Sequence, residues 1–212
     1  MSVDPRNDQR SVREFFSPRA AGWDTRFPDD GPAYAAAVAA LDLPSGGAVL
    51  DAGCGTGRAL PALRSAVGPR GTVLGADLTP AMLMEAADAG RAEYGSLLLT
   101  DISRLPLVDD CLDAVFAAGL ISHLPHPAAG LAELARVVHS GGRLALFHPV
   151  GRAALANRQG RELRDDDLRA APQLDALLTA SGWTMTSYED QDARFLVLAV
   201  RKGERTGGPG NS

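Results

Sequence analysis

Three acidic residues of this chain stand at the ends of short apolar runs, and a glycine turn follows the first of them. Asp51 closes Ala48-Val49-Leu50 and leads into Gly53-Cys54-Gly55-Thr56-Gly57; Asp77 closes the run from Thr72, and Asp101 follows Ser96–Thr100. Glycine takes positive φ freely and lets backbone approach a ligand closely. A helix opening after such a turn offers its unsatisfied N–H groups to whatever the turn holds. A dinucleotide fingerprint, Gly-x-Gly-x-x-Gly, needs its third glycine where Arg58 stands. Asp51 would also repel a pyrophosphate, whereas it suits a ligand that carries an ammonium group. Asp77 lies 20 residues beyond Gly57, the distance from which a carboxylate accepts hydrogen bonds from two ribose hydroxyls. Its other reading, a cap on the helix that Pro80 begins, is compatible with that role.

Two histidines are candidates for proton transfer. His123 lies in Ile121-Ser122-His123-Leu124-Pro125-His126-Pro127, just past a strand, and His148 ends another. Imidazole titrates near neutrality and suits a general base, with loop structure as the competing role. Arg152 is placed to hold an acidic acceptor or to be solvated. The arginine and acid run Arg158–Arg169 either shapes an acceptor site or forms a solvated helix face.

The elements that must position these residues alternate between strand and helix. The expected strands are Ala48–Asp51, Thr72–Asp77, Ser96–Thr100, Asp113–Ala117, Arg143–His148, Thr184–Tyr188 and Phe195–Arg201. Expected helices cover Ser11–Phe16, Ala33–Leu41, Gly57–Val67, Pro80–Tyr94, a segment marked by Leu131, Leu134 and Val138 that stops at Gly141-Gly142, and Pro172–Ser181. Continuous apolar strands such as Leu97-Leu98-Leu99 are those of a parallel sheet covered on both faces. Asp113 begins its strand, at the end of the sheet away from the ligand, and reads as structural.

The bulk numbers bound the function. A chain of 212 residues with 45% hydrophobic and 22% charged content fits one ordinary globular core. A net charge of −5 gives no basic field for nucleic acid. Twenty arginines against the single Lys202 point to a GC-rich bacterial genome. Cys54 and Cys111 form no disulfide framework and no metal-ligand spacing; Cys54 reads as a small packed side chain. With no apolar leader in Met1–Arg10 and no apolar run of membrane-spanning length, a cytoplasmic location is expected.

The segment from about Ala48 to Phe147 resembles the class I S-adenosylmethionine (SAM)-dependent methyltransferases, particularly the small bacterial type 11 domain. Four motifs agree in order: the Asp51 glycine turn, Gly75-Ala76-Asp77-Leu78-Thr79-Pro80-Ala81-Met82-Leu83, Asp101-Ile102, and Asp113-Ala114-Val115-Phe116-Ala117-Ala118-Gly119. The resemblance implies an α/β fold, a Rossmann-like doubly wound sheet of seven strands, mostly parallel with an antiparallel last strand and helices on both faces. It implies that Asp51, Gly53, Gly55 and Gly57 meet the methionine end, Asp77 the ribose, and Leu78, Met82, Asp101 and Ile102 the adenine, with Ala117–Leu120 contributing mostly backbone. Residues 1–45 are expected to form a helical lid in which Trp23, Phe27 or Tyr34 contacts cofactor or acceptor; packing onto the first helix is the equal alternative for these aromatics. Residues 46–203 would form the SAM-binding domain and 204–212 a disordered tail. Methyl transfer to a small-molecule acceptor is the expected activity, with S-adenosylhomocysteine (SAH) as product, no nucleic-acid or membrane partner, and a monomer or homodimer. A quinone-type C-methyltransferase and a non-catalytic SAM-binding partner remain open beside it, while an NAD oxidoreductase is disfavoured by Arg58 and Asp51.

Overall fold

Apolar residues at consecutive strand positions point alternately to two faces, so each central strand here needs cover on both sides. The computed structural model, which describes residues 9–26, 30–164 and 166–203, supplies it. Phe27 and the expected tail at 204–212 lie outside the described residues. The strands are β1 (Ala48–Ala52), β2 (Thr72–Asp77), β3 (Ser96–Leu99), β4 (Leu112–Ala118), β5 (Val138–His148), β6 (Trp183–Gln191) and β7 (Arg194–Arg201). They form one sheet in the order β3-β2-β1-β4-β5-β7-β6. β1 to β5 pair in parallel, and β7 runs antiparallel to both β5 and β6. This is the doubly wound, mostly parallel sheet expected from the sequence.

Val49, Val73, Ala114, Phe116, Ala145 and Phe147 pack with α3 (Gly31–Ala40) and α4 (Leu60–Val67) on one face. Leu50, Val115, Ala117, Leu144 and Leu146 pack with α6 (Pro127–Val137) and α8 (Ala171–Ala180) on the other. Trp183 is wholly buried in that second layer, and its indole N–H donates to Leu131 O at 2.9 Å. Strand order reverses between β1 and β4, so the crossovers diverge there and leave a crevice at the carboxyl ends, where such sheets bind ligands.

Several boundaries differ from the sequence reading. α4 begins at Leu60 rather than Gly57, because Gly57 holds φ +77° and cannot be helical. α5 (Pro80–Asp88) stops before Tyr94, where Gly90 at φ +73° turns the chain into a short 3-10 turn at Arg91–Glu93. α6 ends at Val137, not at Gly141-Gly142, and β5 starts at once, with Val138 paired to Leu112. The β-branched pair Val137-Val138 is fully buried and favours the extended chain. The glycines then serve inside the strand: a Cβ on Gly142 would lie 2.7 Å from Asp113 O.

Two helices precede the sheet, α1 (Gln9–Ala20), longer than expected, and α2 (Trp23–Arg26). The arginine and acid run is not one solvated helix: α7 (Arg152–Arg158) is short, and the described residues between it and Ala170 form no further helix or strand. Among the described residues no helix is long and apolar enough to cross a membrane.

Candidate functional site

The glycine turn is built by backbone. Cys54 N donates to Ala76 O at 2.9 Å, and Gly57 N donates to Cys54 O at 2.8 Å. Gly53, Gly55 and Gly57 all hold positive φ, at +68°, +55° and +77°. At Gly55 a Cβ would meet nothing within 4 Å, so conformation rather than crowding demands glycine, and the outer side of the turn is open. Asp77 secures the turn from β2: its Oδ2 accepts Gly55 N at 2.8 Å and its Oδ1 accepts Thr79 N at 2.7 Å. Burial raises its carboxyl above the usual range, against the lowering effect of those N–H groups. Each oxygen keeps a second lone pair. Asp77 thus caps the Pro80 helix and holds the turn while retaining capacity for hydroxyl donors.

Asp51 is 1% exposed, and its Oδ1 has no hydrogen-bond partner. Burial, with a smaller contribution from the Asp77 charge, pushes its carboxyl up to about 8. A buried carboxyl without a donor is a costly arrangement, and an ammonium group brought to this position would relieve it. Cys54 is buried beside it, its thiol pushed well up first by burial and then by the charges of Asp51 and Asp77; it is the small packed side chain expected.

Beyond β2 and β3, Met82 and Ile102 are buried, with Leu78 and Asp101 half-buried beside the N-terminal helices. Asp101 Oδ1 accepts Ser103 N at 2.8 Å, while the Gln9 side-chain amide of α1 donates to Oδ2. Arg13 Nε, one turn further along α1, donates to Leu78 O at 3.1 Å. From α2, Asp24 accepts Thr56 Oγ1 at 2.7 Å and pairs with Arg91 at 2.6 Å. Trp23 packs on Phe16 (ring centroids 5.7 Å apart), and Phe16 packs edge-on to His123 at 4.9 Å. Arg58, which replaces the third glycine, pairs with Asp30 at 3.2 Å and lies over the Tyr34 ring.

The carboxyl ends of β4 and β5 form the other wall. Ala117 is buried opposite Leu146, and Gly119 N donates to Phe147 O at 2.8 Å. His148 Nδ1 lies 2.7 Å from Val150 O and 3.1 Å from Val150 N. The shorter contact assigns the proton to Nδ1 and leaves Nε2 as the basic nitrogen. His123, in a 3-10 turn (Ile121–His123), contacts the rings of Phe15 and Phe16. Burial lowers both imidazoles below their usual range; the charges of His148 and Arg169 lower His123 further, and that of Arg169 acts on His148 too. Both histidines are therefore neutral, and able to accept a proton, at neutral pH. Asp113, at the opposite end of the sheet, accepts Ala48 N at 2.7 Å and contacts His139 Nε2 at 3.0 Å, a structural tie.

Sequence reasoning missed Gln9, Tyr188 and Asp190; Asp167 and Arg169 lie in the run Arg158–Arg169, which it read as either shaping an acceptor site or forming a solvated helix face. Arg152 and Arg169 are buried rather than solvated. Arg152 is 3.4 Å from Asp190 and 3.5 Å from Asp167, so its charge is already answered by acids of this chain. A run rich in charge carries no mark of which members fold inward.

Residues 50–146 match the family model of a methyltransferase domain. The match spans just under half of the chain. The chain is 38% identical to methyltransferase GfsG of Streptomyces halstedii over 119 residues, 54% of this chain and 42% of that protein. The ubiquinone/menaquinone biosynthesis C-methyltransferase UbiE of Burkholderia mallei is 34% identical over 112 residues, 52% of this chain and 46% of that one. The chain thus spans less than half the length of these curated relatives. The magnesium protoporphyrin IX methyltransferase ChlM of Synechocystis, solved with bound SAM, superimposes with a TM-score of 0.68 over 95% of this chain and all of that one, at 19% identity, a likeness of fold. The methyltransferase domain's cofactor is SAM, and the residues present fit it: the unpartnered Asp51 oxygen stands beside a glycine turn whose outer side is open.

Proposed function

We propose that this chain transfers a methyl group from SAM to a small-molecule acceptor at the carboxyl ends of β4 and β5. The observation that carries the reading is Asp51, buried at the end of β1 with an oxygen that no group of the chain satisfies. When bound, SAM supplies a methyl carbon already activated on a sulfonium. What remains for the protein is to hold donor and acceptor in line, a positioning effect, and to remove a proton from the acceptor.

Asp51 would hold the ammonium group, Asp77 the ribose hydroxyls, and the backbone of Gly53, Gly55, Gly57 and Ala117 the chain between them. Asp101 would accept from the adenine amine, with Leu78, Met82 and Ile102 against the ring. Gln9 now uses an oxygen of Asp101, so α1 must yield that bond or share the carboxylate. Residues 1–45, with Trp23 in α2, act as the lid over the domain at 46–203. His148, with its Nδ1 proton bonded to Val150 O, is the general base, and His123 seats the lid through Phe15 and Phe16.

Titration calorimetry with SAH tests the cofactor site. The chain is expected to bind SAH in the micromolar range, and Asp51→Ala to lose about 2–5 kcal/mol of that affinity, the scale for removing one partner of a buried charge pair. Equal affinity in the variant would remove Asp51 from the site, and absence of binding to the native chain would remove the reading. The alignment with UbiE supports a carbon acceptor as a second reading; locating a labelled methyl group in the product, on carbon or on a heteroatom, decides it.

A further inference from the structure

Beyond the end of β5 lies a connected set of side chains that the cofactor does not use. His148 is the last residue of β5 and pairs with Phe195 of β7. Strand alternation puts it on the face of Leu144 and Leu146, which α6 and α8 cover. Tyr188 of β6 meets Phe195 edge-on at 5.8 Å, and its hydroxyl donates to Arg169 O at 2.9 Å. Arg169 is 6% exposed. Its Nε and Nη2 bond to Asp167 at 3.3 and 3.1 Å, and its Nη1 has no partner among the described residues. Arg152, anchored on Asp190, also faces Asp167.

Resting on the methyltransferase reading above, we infer that Arg169 is the acceptor-binding residue of this site, and that the acceptor is a planar phenol or enol whose oxygen becomes anionic next to His148. The charge balance selects this class. Arg152 and Arg169 are matched one for one by Asp167 and Asp190, so no whole positive charge stands ready for a phosphate or a carboxylate. The two N–H groups of Arg169 Nη1 are nevertheless left over, as is the buried Nε of Arg152, and such donors stabilise charge that develops on an oxygen during proton removal. The rings of Phe16 and Trp23, with Phe15 46% exposed beside His123, provide flat apolar surface nearby. The groups whose charge acts on His148 are Arg169, Asp30 and Arg158, and on His123 they are His148 and Arg169.

The step balances simply. The hydroxyl proton passes to His148 Nε2 and then to solvent. A bond forms between the acceptor oxygen, or the carbon conjugated to it, and the methyl carbon; the methyl–sulfur bond breaks, and its electron pair stays on sulfur.

The probe is 4-nitrophenol, coloured only as the phenolate, added to the full chain saturated with SAH. Binding should lower the probe's apparent pKa, so that colour rises at fixed pH, while 4-nitroanisole, which has no ionisable hydroxyl, should bind at least about tenfold more weakly, the worth of one charge-assisted hydrogen bond. Arg169→Gln should lose the colour shift and keep SAH affinity, and Arg169→Lys should restore most of the shift. Equal binding of the two probes to the native chain, binding without added colour, or an unchanged shift in Arg169→Gln would each overturn the assignment. The two-probe comparison holds even if the variants fail to fold. SAH binding without phenolate binding overturns this inference alone, whereas failure of SAH to bind overturns the methyltransferase reading itself.

Discussion

The two walls of the site are held by different means. On the β1–β2 side, position is set by backbone: three glycines at positive φ, amides donating to Asp77, and one carboxyl left without a partner. On the β5–β7 side, position is set by side chains reaching across elements, with Arg152 and Arg169 sharing Asp167, and Tyr188 bonded to the main chain of Arg169. A backbone cradle depends on a local string of residues and changes little while that string is kept. A network of long side chains is rebuilt by a few substitutions. The contrast suits a protein that keeps one donor and fits its acceptor separately.

The comparison breaks most visibly at the histidines. His148→Ala should lower kcat about a hundredfold or more, the usual worth of a general base, with SAH affinity unchanged. His123→Ala should act on the acceptor KM instead, by loosening Phe15 and Phe16. Steady-state kinetics at saturating SAM separates the two, and equal kcat in His148→Ala would move the base elsewhere.

On the cofactor wall a smaller effect is expected. Asp77→Ala should cost about 1–3 kcal/mol in SAH affinity by calorimetry, through lost hydrogen bonds to a charged group and a loosened turn. Unchanged affinity would confine Asp77 to capping.

The finest test concerns Asp51 in the free protein. Its folded carboxyl keeps a proton to about pH 8, whereas the unfolded chain loses it near 3.8. Between those values the unfolded state binds fewer protons, so stability falls as pH rises. Asp51→Asn has no such slope, and its Tm advantage over the native chain should grow from about pH 4 to about pH 8 and then level off. A constant difference would mean that the folded carboxyl is already ionised.

The cofactor wall was largely legible in the sequence because its signals are local. β2 runs over Thr72–Asp77 as the pattern predicts, and the acids at the strand ends mark one edge of a parallel sheet. Helix ends were misread where glycine served another purpose: Gly57 belongs to the turn, and Gly142 to a close strand approach. The acceptor wall was mostly hidden. Nothing in Arg158–Arg169 distinguishes the buried Arg169 from the exposed Arg164, because burial there is decided by Asp167 and by Tyr188 on a distant strand. Gln9 was invisible for the same reason, since its partner Asp101 lies 92 residues away.

The chain has two tryptophans, placed where an optical experiment would want them. Trp183 is sealed between β6 and α6 with its N–H fixed on Leu131 O, so its emission should stay constant through a catalytic cycle. Trp23 is half-buried on α2 against Phe16, and any shift of the N-terminal helices changes its surroundings. The protein therefore carries its own fluorescent gauge of any movement of the N-terminal helices, the lid proposed above, with a built-in reference readable in stopped flow without a label.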